Sequence, residues 1–164
     1  GTTTVAAHDL HFPNGAVITP DGSTLIVGET TGNRYTAFDL APDGTLGNRR
    51  VWAEFGALPQ AETFLEGMAL IKVAPDGCSL DAEGHIWSAD ALNNRCVRVA
   101  PGGEIVEEIT VPGDLGIYAC QLGGDDGRTL LLCAAPDFFE HNRVGSNDAV
   151  LFTASVDVPH AGLP

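Results

Sequence analysis

Asn14 and Asp76 are the residues of this chain whose types and positions best suit a metal site. Asn14 stands in the segment 12–22 (FPNGAVITPDG), and Asp76 stands in a related segment, 74–84 (APDGCSLDAEG). Both segments read as a turn, a strand and a second turn, and both place an oxygen ligand in the first turn. Since hard divalent cations prefer amide and carboxylate oxygens, the repeat predicts a metal held by Asn14 and Asp76 on a repeat axis.

Asp76 is also the best candidate for a catalytic residue. A metal ion polarises a coordinated carbonyl, and a neighbouring carboxylate can take a proton from an attacking water. Zinc-type clusters are absent from the sequence, because the cysteines at 78, 96, 120 and 133 form no Cys-x-x-Cys pair. Oxygen ligation therefore favours Ca²⁺, with Zn²⁺, Mg²⁺ and Mn²⁺ as open alternatives.

A simpler interpretation is that the tripeptides around the two candidates, Pro13-Asn14-Gly15 and Pro75-Asp76-Gly77, are only turns. Asn and Asp are common in turns, because their side chains hydrogen-bond within the turn and tolerate its backbone. The Pro-Asp-Gly tripeptides at 20–22 and 42–44 lie at hairpin positions and are expected to be turns only. Asn14 and Asp76, in contrast, occupy the same earlier place in two successive repeats, which favours a ligand role.

The elements that must position these residues are short strands separated by glycine turns. Dipeptides such as Asp21-Gly22 suit tight hairpins, because glycine adopts a positive φ without a Cβ clash. The pattern predicts a series of antiparallel meanders. The predicted strands, which are short and rich in β-forming residues, include 25–27, 36–40, 85–88, 96–99, 105–111, 129–133 and 150–154.

The meanders occur as three copies along the chain. The glycines Gly22, Gly84 and Gly127 start corresponding strands, at spacings that match a four-stranded propeller blade. The first spacing is stretched by an insertion of mixed helical character, which predicts a short helix or a lid over one face. The predicted boundaries are blades at about 5–56, 66–112 and 117–158, with the insertion at about 57–73.

Three blades make no closed ring, and an open arc would leave two apolar blade faces in water. The chain begins with a segment of strand-like composition, 1–5 (GTTTV). We therefore expect an N-terminal half of similar size, as a separate or cleaved segment, to complete the propeller. Cleavage before Thr2 would also set a threonine nucleophile beside its own amine, which is an alternative interpretation of this start.

Charge and hydropathy exclude several classes of partner. The formal net charge is -14, so neither a nucleic-acid backbone nor an anionic membrane is expected to bind this chain. No apolar run approaches the length of a membrane span. The scattered cysteines have apolar neighbours, as in residues 131–134, which is typical of reduced core residues and favours a cytoplasmic location.

Several motifs follow one another in order: 13–15 (PNG), 20–22 (PDG), 75–77 (PDG), 81–87 (DAEGHIW), 122–124 (LGG) and the ending 156–164. In this order they resemble the second half of the senescence-marker-protein/gluconolactonase (regucalcin-like) family. The resemblance implies a six-bladed β-propeller with one divalent metal, usually calcium, in its channel, of which this chain supplies the C-terminal three blades. It further implies that Asn14 and Asp76 are two of the metal ligands and that the others lie in the N-terminal half.

The activity implied by this resemblance is the metal-dependent hydrolysis of a sugar lactone or related small ester. The alternative is a metal-binding propeller that serves as a non-hydrolytic biosynthetic enzyme or a small-molecule binding protein, because propeller folds host many functions. Trp52 and Trp87 are expected in the core between blades. Structural or solvated roles are expected for His11, Asp137, His141 and Asn142, whereas Asp90 and Asn94 fit a turn or cap role as well as a place in a substrate pocket.

Overall fold

The chain folds into three antiparallel sheets set side by side. The computed structural model describes residues 1–162, apart from the side chain of Phe64. The first sheet has the strand order β1-β2-β3-β4, the second β5-β6-β7-β8, and the third β11-β10-β9. The strands are β1 (Pro13–Ile18), β2 (Thr24–Glu29), β3 (Arg34–Leu40), β4 (Leu46–Glu54), β5 (Pro75–Leu80), β6 (Ile86–Asp90), β7 (Arg95–Val99), β8 (Ile105–Ile109), β9 (Gly116–Gly123), β10 (Thr129–Ala135) and β11 (Val150–Ser155).

The predicted all-β architecture of repeated meanders is confirmed. The strands β1, β5 and β9 each begin a sheet and pack against one another, and we call them the inner strands. Each is followed by a hairpin whose glycine has a positive φ: 72° at Gly22, 78° at Gly84 and 74° at Gly127. These positions require glycine because an L side chain is strained at such angles. The arrangement is that of consecutive propeller blades.

Two apolar layers hold the three sheets together. Trp87 is fully buried between the second and third sheets, and Trp52 is partly buried between the first and second, so the core positions predicted for both tryptophans are confirmed. Each fully buried large apolar side chain contributes roughly 1.5–3 kcal/mol to folding. Side chains with no exposed surface include Tyr35, Ile86, Val97 and Val99 in one layer and Ile117 and Leu130 in the other.

The insertion between β4 and β5 carries the short helix that the sequence predicts. Helix α1 spans Phe64–Ala69, and a second helix, α2, spans Glu140–Arg143 between β10 and β11. The hydroxyl of Thr63 accepts the backbone N–H of Glu66 at 3.3 Å, and the Glu66 carboxylate accepts that of Thr63 at 3.1 Å. This capping box fixes the start of α1. Within residues 1–162, neither helix has the length and apolar character of a membrane span.

The strand-like start of the chain is a wrong prediction. Residues 1–12 form no strand, and the first strand begins at Pro13. The backbone groups of this segment bond partly to side chains, and the carbonyl oxygens of His11 and Phe12 accept the backbone N–H groups of Thr31 and Thr30 just after β2. Arg49 donates to the carbonyl oxygens of His8 and Asp9 at 3.0 and 2.8 Å, and the His11 N–H donates to the Glu29 carboxylate at 2.6 Å.

Candidate metal centre

Asn14 and Asp76 lie at equivalent places near the start of two inner strands. The pairing of β1 with β2 shifts register over residues 13–16, and that of β5 with β6 shifts over residues 75–78. Each shift is a β-bulge that contains one of the two candidates. A bulge changes the direction of a side chain relative to the regular alternation along a strand. The side chains of Asn14 and Asp76 are therefore both redirected at the N-terminal ends of neighbouring strands, β1 and β5.

A glycine after each candidate lets the inner strands approach closely. A Cβ on Gly15 would lie 2.1 Å from the carbonyl oxygen of Asp76, and a Cβ on Gly77 would lie 2.7 Å from the Cα of Ala119. Neither glycine has a positive φ. The prediction that these tripeptides form turns is therefore wrong: both begin a strand, and their glycines are required by packing between strands.

The two candidate side chains share one environment. Burial raises the pKa of the Asp76 carboxyl, and the nearby polar groups of the Asn14 side chain and the Gly77 backbone offset this in part. The Asn14 Nδ2 also lies 3.4 Å from the hydroxyl of Thr30, which in turn donates to the carbonyl oxygen of Pro75 at 2.6 Å. Asn14 thus uses its NH₂ group inside the protein, which leaves its amide oxygen available as a ligand.

Tyr118 occupies the third equivalent position, which the sequence reasoning missed. The pairing of β9 with β10 shifts register between Cys133 and Ala134, so that Tyr118 stands on a bulge like those of Asn14 and Asp76. The signal was present in the sequence, because Tyr118-Ala119-Cys120 aligns with Asp76-Gly77-Cys78. Burial raises the pKa of the Tyr118 phenol, and the nearby Asp137 and Asp76 carboxylates add to that effect.

The donor set fits a hard divalent cation but does not complete its coordination. Asn14 and Asp76 offer an amide oxygen and a carboxylate, which are ligands that calcium and magnesium prefer. Calcium takes six to eight oxygens. Among the residues that the structure describes, no three His, Cys, Asp or Glu side chains are grouped so that they could hold a metal. The chain thus contributes two side-chain ligands at most through the predicted residues.

Two buried carboxylates near this end of the sheets have structural roles. Asp90 has no exposed surface, and it accepts hydrogen bonds from the Ala74 backbone at 2.9 Å and the Arg95 guanidinium at 2.8 Å. Glu29 accepts from Arg34 at 2.8 Å in the same way. The sequence allowed either a pocket role or a structural role for Asp90. Its hydrogen bonds to the Ala74 backbone and the Arg95 guanidinium favour the structural role.

Two further polar residues considered in the sequence analysis, Asn94 and Asp137, stabilise loops through hydrogen bonds. Asn94 has a φ of 51° and donates to the Asp114 carboxylate at 3.0 Å, which fits the turn role. Asp137 accepts from the Phe139 backbone at 2.9 Å and from Asn142 at 3.0 Å, so it organises the loop before α2.

The insertion lies at the same end as the candidate centre. A cavity of about 260 Å³ separates α1 from the first sheet, with His11, Thr31, Gly67 and Met68 in its lining. Thr31 follows directly on Thr30, which contacts Asn14. The insertion thus packs beside the residue that follows Thr30, and a lid over the candidate centre stays a prediction.

A groove leads away from the candidate centre along the inner strands. Its volume is about 380 Å³, and its walls include Ala16, Cys78, Ser79 and Gln121, which come from all three sheets. The structure contains free cysteines at 78, 96, 120 and 133, in agreement with the predicted reduced state. Burial raises the pKa of the Cys78 thiol to about 12, which excludes it as a nucleophile at neutral pH.

Comparison with known proteins gives a family match over most of the chain. The family model described as the SMP-30/Gluconolactonase/LRE-like region matches residues 1–136. A 6-deoxy-6-sulfogluconolactonase of Pseudomonas putida is 28% identical over 131 residues, which cover 80% of this chain and 40% of that protein. An L-arabinolactonase of Azospirillum brasilense is 27% identical over 149 residues, covering 91% of this chain and 41% of that protein.

Among solved structures, a calcium-binding regucalcin of Agrobacterium tumefaciens has the same fold. It superposes with a TM-score of 0.73 at 24% identity, over 98% of this chain and 51% of that chain. The chain therefore spans about half the length, or less, of these similar proteins.

Proposed function

The chain belongs to the SMP-30/gluconolactonase/LRE-like family, and from this premise we propose that it forms part of a divalent-metal-dependent hydrolase of a sugar lactone or related small ester. One observation carries the proposal. An amide and a half-buried carboxylate, Asn14 and Asp76, stand side by side on equivalent bulges at the mouth of the inner strands. The names of two relatives, a sulfogluconolactonase and an arabinolactonase, support a lactone as the substrate class.

Asn14 and Asp76 hold the metal in this proposal, and Ca²⁺ is the ion that their oxygens suit best. The bound cation supplies Lewis acidity toward the carbonyl oxygen of the substrate. The remaining ligands come from water, the substrate or a further segment of polypeptide, such as the predicted N-terminal half. The reduced cysteines support a cytoplasmic location for the protein.

Asp76 acts on the proton of the attacking water. Burial raises the pKa of the Asp76 carboxyl in the metal-free protein, and a bound cation would offset this rise, so that Asp76 would stay ionised and able to accept a proton. As the water oxygen bonds to the carbonyl carbon, Asp76 takes the proton. The ring C–O bond then breaks and the leaving alkoxide recovers a proton, so that the product is a hydroxy acid. Asn14 is held next to this strand through Thr30, which contacts the Asn14 Nδ2 and donates to the carbonyl oxygen of Pro75.

Lactone turnover with and without a chelator tests this proposal. We expect the protein that carries this chain to open a lactone in a panel of sugar and simple lactones, and to lose that activity in EDTA and regain it with Ca²⁺. Asp76→Ala is expected to abolish both metal binding and turnover, because it removes the ligand and the proton acceptor together. Asp21→Ala, in a Pro-Asp-Gly tripeptide at a hairpin, is the matched control and should retain both.

Metal binding without turnover of any lactone would contradict the hydrolase and favour the alternative, a non-hydrolytic enzyme or a binding protein. Full activity in Asp76→Ala would contradict the assignment of the site. The two results are separate, because the first concerns the reaction and the second its location.

A further inference from the structure

The ring of Tyr118 is held in a defined place beside the candidate centre. A Cβ on Gly116 would lie 2.2 Å from the Tyr118 hydroxyl oxygen, so the phenol folds back over that glycine and leaves no room for another side chain. The ring also packs beside a small apolar cluster that includes Ile71 and Ala74, the latter two residues before Asp76. An aromatic ring therefore lies near the candidate ligand Asp76.

A row of aromatic side chains continues outward from Tyr118. The rings of Tyr118 and Phe138 meet edge to face, with centroids 6.0 Å apart and an interplanar angle of 75°. Phe138 and Phe139 follow at 4.7 Å. These two phenylalanines are 43% and 40% exposed, although both are large and apolar. Exposed aromatic rings next to a site commonly mark a contact surface for a ligand.

The loop that carries the two phenylalanines is anchored. Asp137 accepts the N–H of Phe139 at 2.9 Å and the side-chain amide of Asn142 at 3.0 Å, and Arg143 lies 3.3 Å from the same carboxylate. The two rings are thus carried by a loop that hydrogen bonds already order. Ligand binding therefore costs less conformational entropy of the loop.

The charges around these rings disfavour an anionic ligand. Asp137 and Glu140 are acids of the loop that carries the rings, and they would repel a phosphate, sulfonate or carboxylate group placed over the rings. Arg143 is the cation of this loop, and its guanidinium is occupied by Asp137 and by Asp148 at 2.6 Å.

We propose that Tyr118, Phe138 and Phe139 form an aromatic wall that binds an uncharged, apolar ring carried by the substrate. The proposal rests on the proposed function, and it names the substrate class of that site: a neutral lactone with a planar or hydrophobic ring beside the bond that breaks. Stacked and edge-to-face contacts with such a ring bury apolar surface on both partners. A sugar lactone with a charged substituent lacks this gain and meets the acidic residues.

Turnover of three probes tests the wall. The probes are dihydrocoumarin, which has an aromatic ring fused to the lactone, δ-valerolactone, which has none, and a phosphorylated gluconolactone. We expect the highest kcat/KM for dihydrocoumarin and the lowest for the phosphorylated probe. Phe138→Ala should lower kcat/KM for dihydrocoumarin by about 5–10-fold, mainly through KM, and change that for δ-valerolactone by less than about 2-fold. Val144→Ala, in the same loop but with a side chain 76% exposed, is the control and should match the parent protein.

Equal losses for both neutral probes in Phe138→Ala would overturn the wall, and so would a preference for the phosphorylated probe. Binding separates this proposal from the hydrolase itself. Ligand-observed NMR of dihydrocoumarin should show binding to Asp76→Asn, which lacks the proton acceptor. The affinity should be about 5–10-fold weaker when Phe138→Ala is added. Equal binding by these two variants would refute the wall, whereas a lack of turnover in the parent protein would refute only the hydrolase.

Discussion

Asp21 and Asp76 occupy the same tripeptide, Pro-Asp-Gly, and have opposite acid–base behaviour. The pKa of Asp21 is lowered to about 2 by hydrogen bonds from Thr19 and Ser23 at an exposed hairpin. The pKa of Asp76 is raised, because burial weakens the solvation of its charge. A carboxylate that is destabilised in the absence of a cation is what a metal ligand and proton acceptor require.

Removing the Asp76 charge should stabilise the metal-free protein. The folded pKa of Asp76 lies above its ordinary value of 3.8, so its favourable contribution to stability is present below that value and is lost as pH rises through the folded pKa. In EDTA at pH 7, Asp76→Asn should therefore raise Tm by about 1–3 °C. The difference should disappear below pH 3.8, where the carboxyl is protonated in both states. Thermal unfolding followed by circular dichroism measures this.

Asp21→Asn is the control for that measurement and should show the opposite sign. Because its folded pKa is depressed, Asp21 contributes stability above the ordinary value of 3.8, and that contribution is lost as pH falls toward about 2. The variant should melt below the parent protein at pH 7. A lower Tm for Asp76→Asn in EDTA at pH 7 would show that the protein alone stabilises the Asp76 carboxylate, which contradicts a carboxylate that needs a cation.

The sequence identified Asn14 and Asp76 because both stand in recognisable tripeptides. It did not identify Tyr118, because the third copy of the tripeptide is Ile-Tyr-Ala, residues 117–119, and carries neither Asn nor Asp at the matching place. The register shift between β9 and β10 shows the equivalence of that position, for which the sequence offered only the matching cysteines at 78 and 120. Asn14 and Asp76 could thus be predicted because a metal-binding side chain recurs at the same place in two repeats. Tyr118 could not, because only the backbone geometry recurs there.

At the scale of elements, the close approach of β1 to β5 is the feature that brings the candidate ligands together. It depends on Gly15, since any Cβ there would lie 2.1 Å from a backbone oxygen of β5. A backbone atom cannot yield as a flexible side chain can. The short strands could be predicted from β-forming residues and glycine turns, but the strand start at Pro13 could not, because Pro-Asn-Gly is also a turn sequence.

Gly15→Ala should separate the two inner strands. We expect a loss of about 1–3 kcal/mol in the free energy of unfolding, as for other overpacked sites, together with weaker metal binding because Asn14 and Asp76 move apart. Urea unfolding measures the first effect. Gly47→Ala in β4 is the control, because a Cβ there meets no atom within 4 Å and the backbone has no positive φ. Equal stability of the two variants would contradict the packing role of Gly15.

The loop between β6 and β7 depends on a buried ion pair. Arg95→Met should leave the fully buried Asp90 carboxylate without its cation and lower the free energy of unfolding by about 3–5 kcal/mol. Arg50→Met is the control, because its partner Asp39 is more than half exposed and such pairs contribute about 0–1 kcal/mol. Urea unfolding compares the two variants. A similar small loss in both would show that Asp90 is solvated or neutral in the folded protein.

At the scale of the whole molecule, three sheets and two apolar layers present the inner strands as a half-circle of equivalent positions. The sequence indicated three repeats and the order of their strands, because glycine hairpins recur at blade-sized spacings. It did not indicate the course of residues 1–12, whose backbone bonds to Arg49 and Glu29 from another part of the chain. Contacts between distant segments of this kind have no local signature.

The calcium affinity of matched variants, measured by titration calorimetry, is the most direct test of the central claim that Asn14 and Asp76 hold a metal. We expect Asp76→Asn to weaken Ca²⁺ binding by at least about 100-fold, because a charged ligand is lost, and Asn14→Ala to weaken it by about 10-fold. Asp21→Asn should bind Ca²⁺ as the parent protein does. Calcium binding of equal strength in all four proteins would contradict the claim, because the metal would then be held elsewhere.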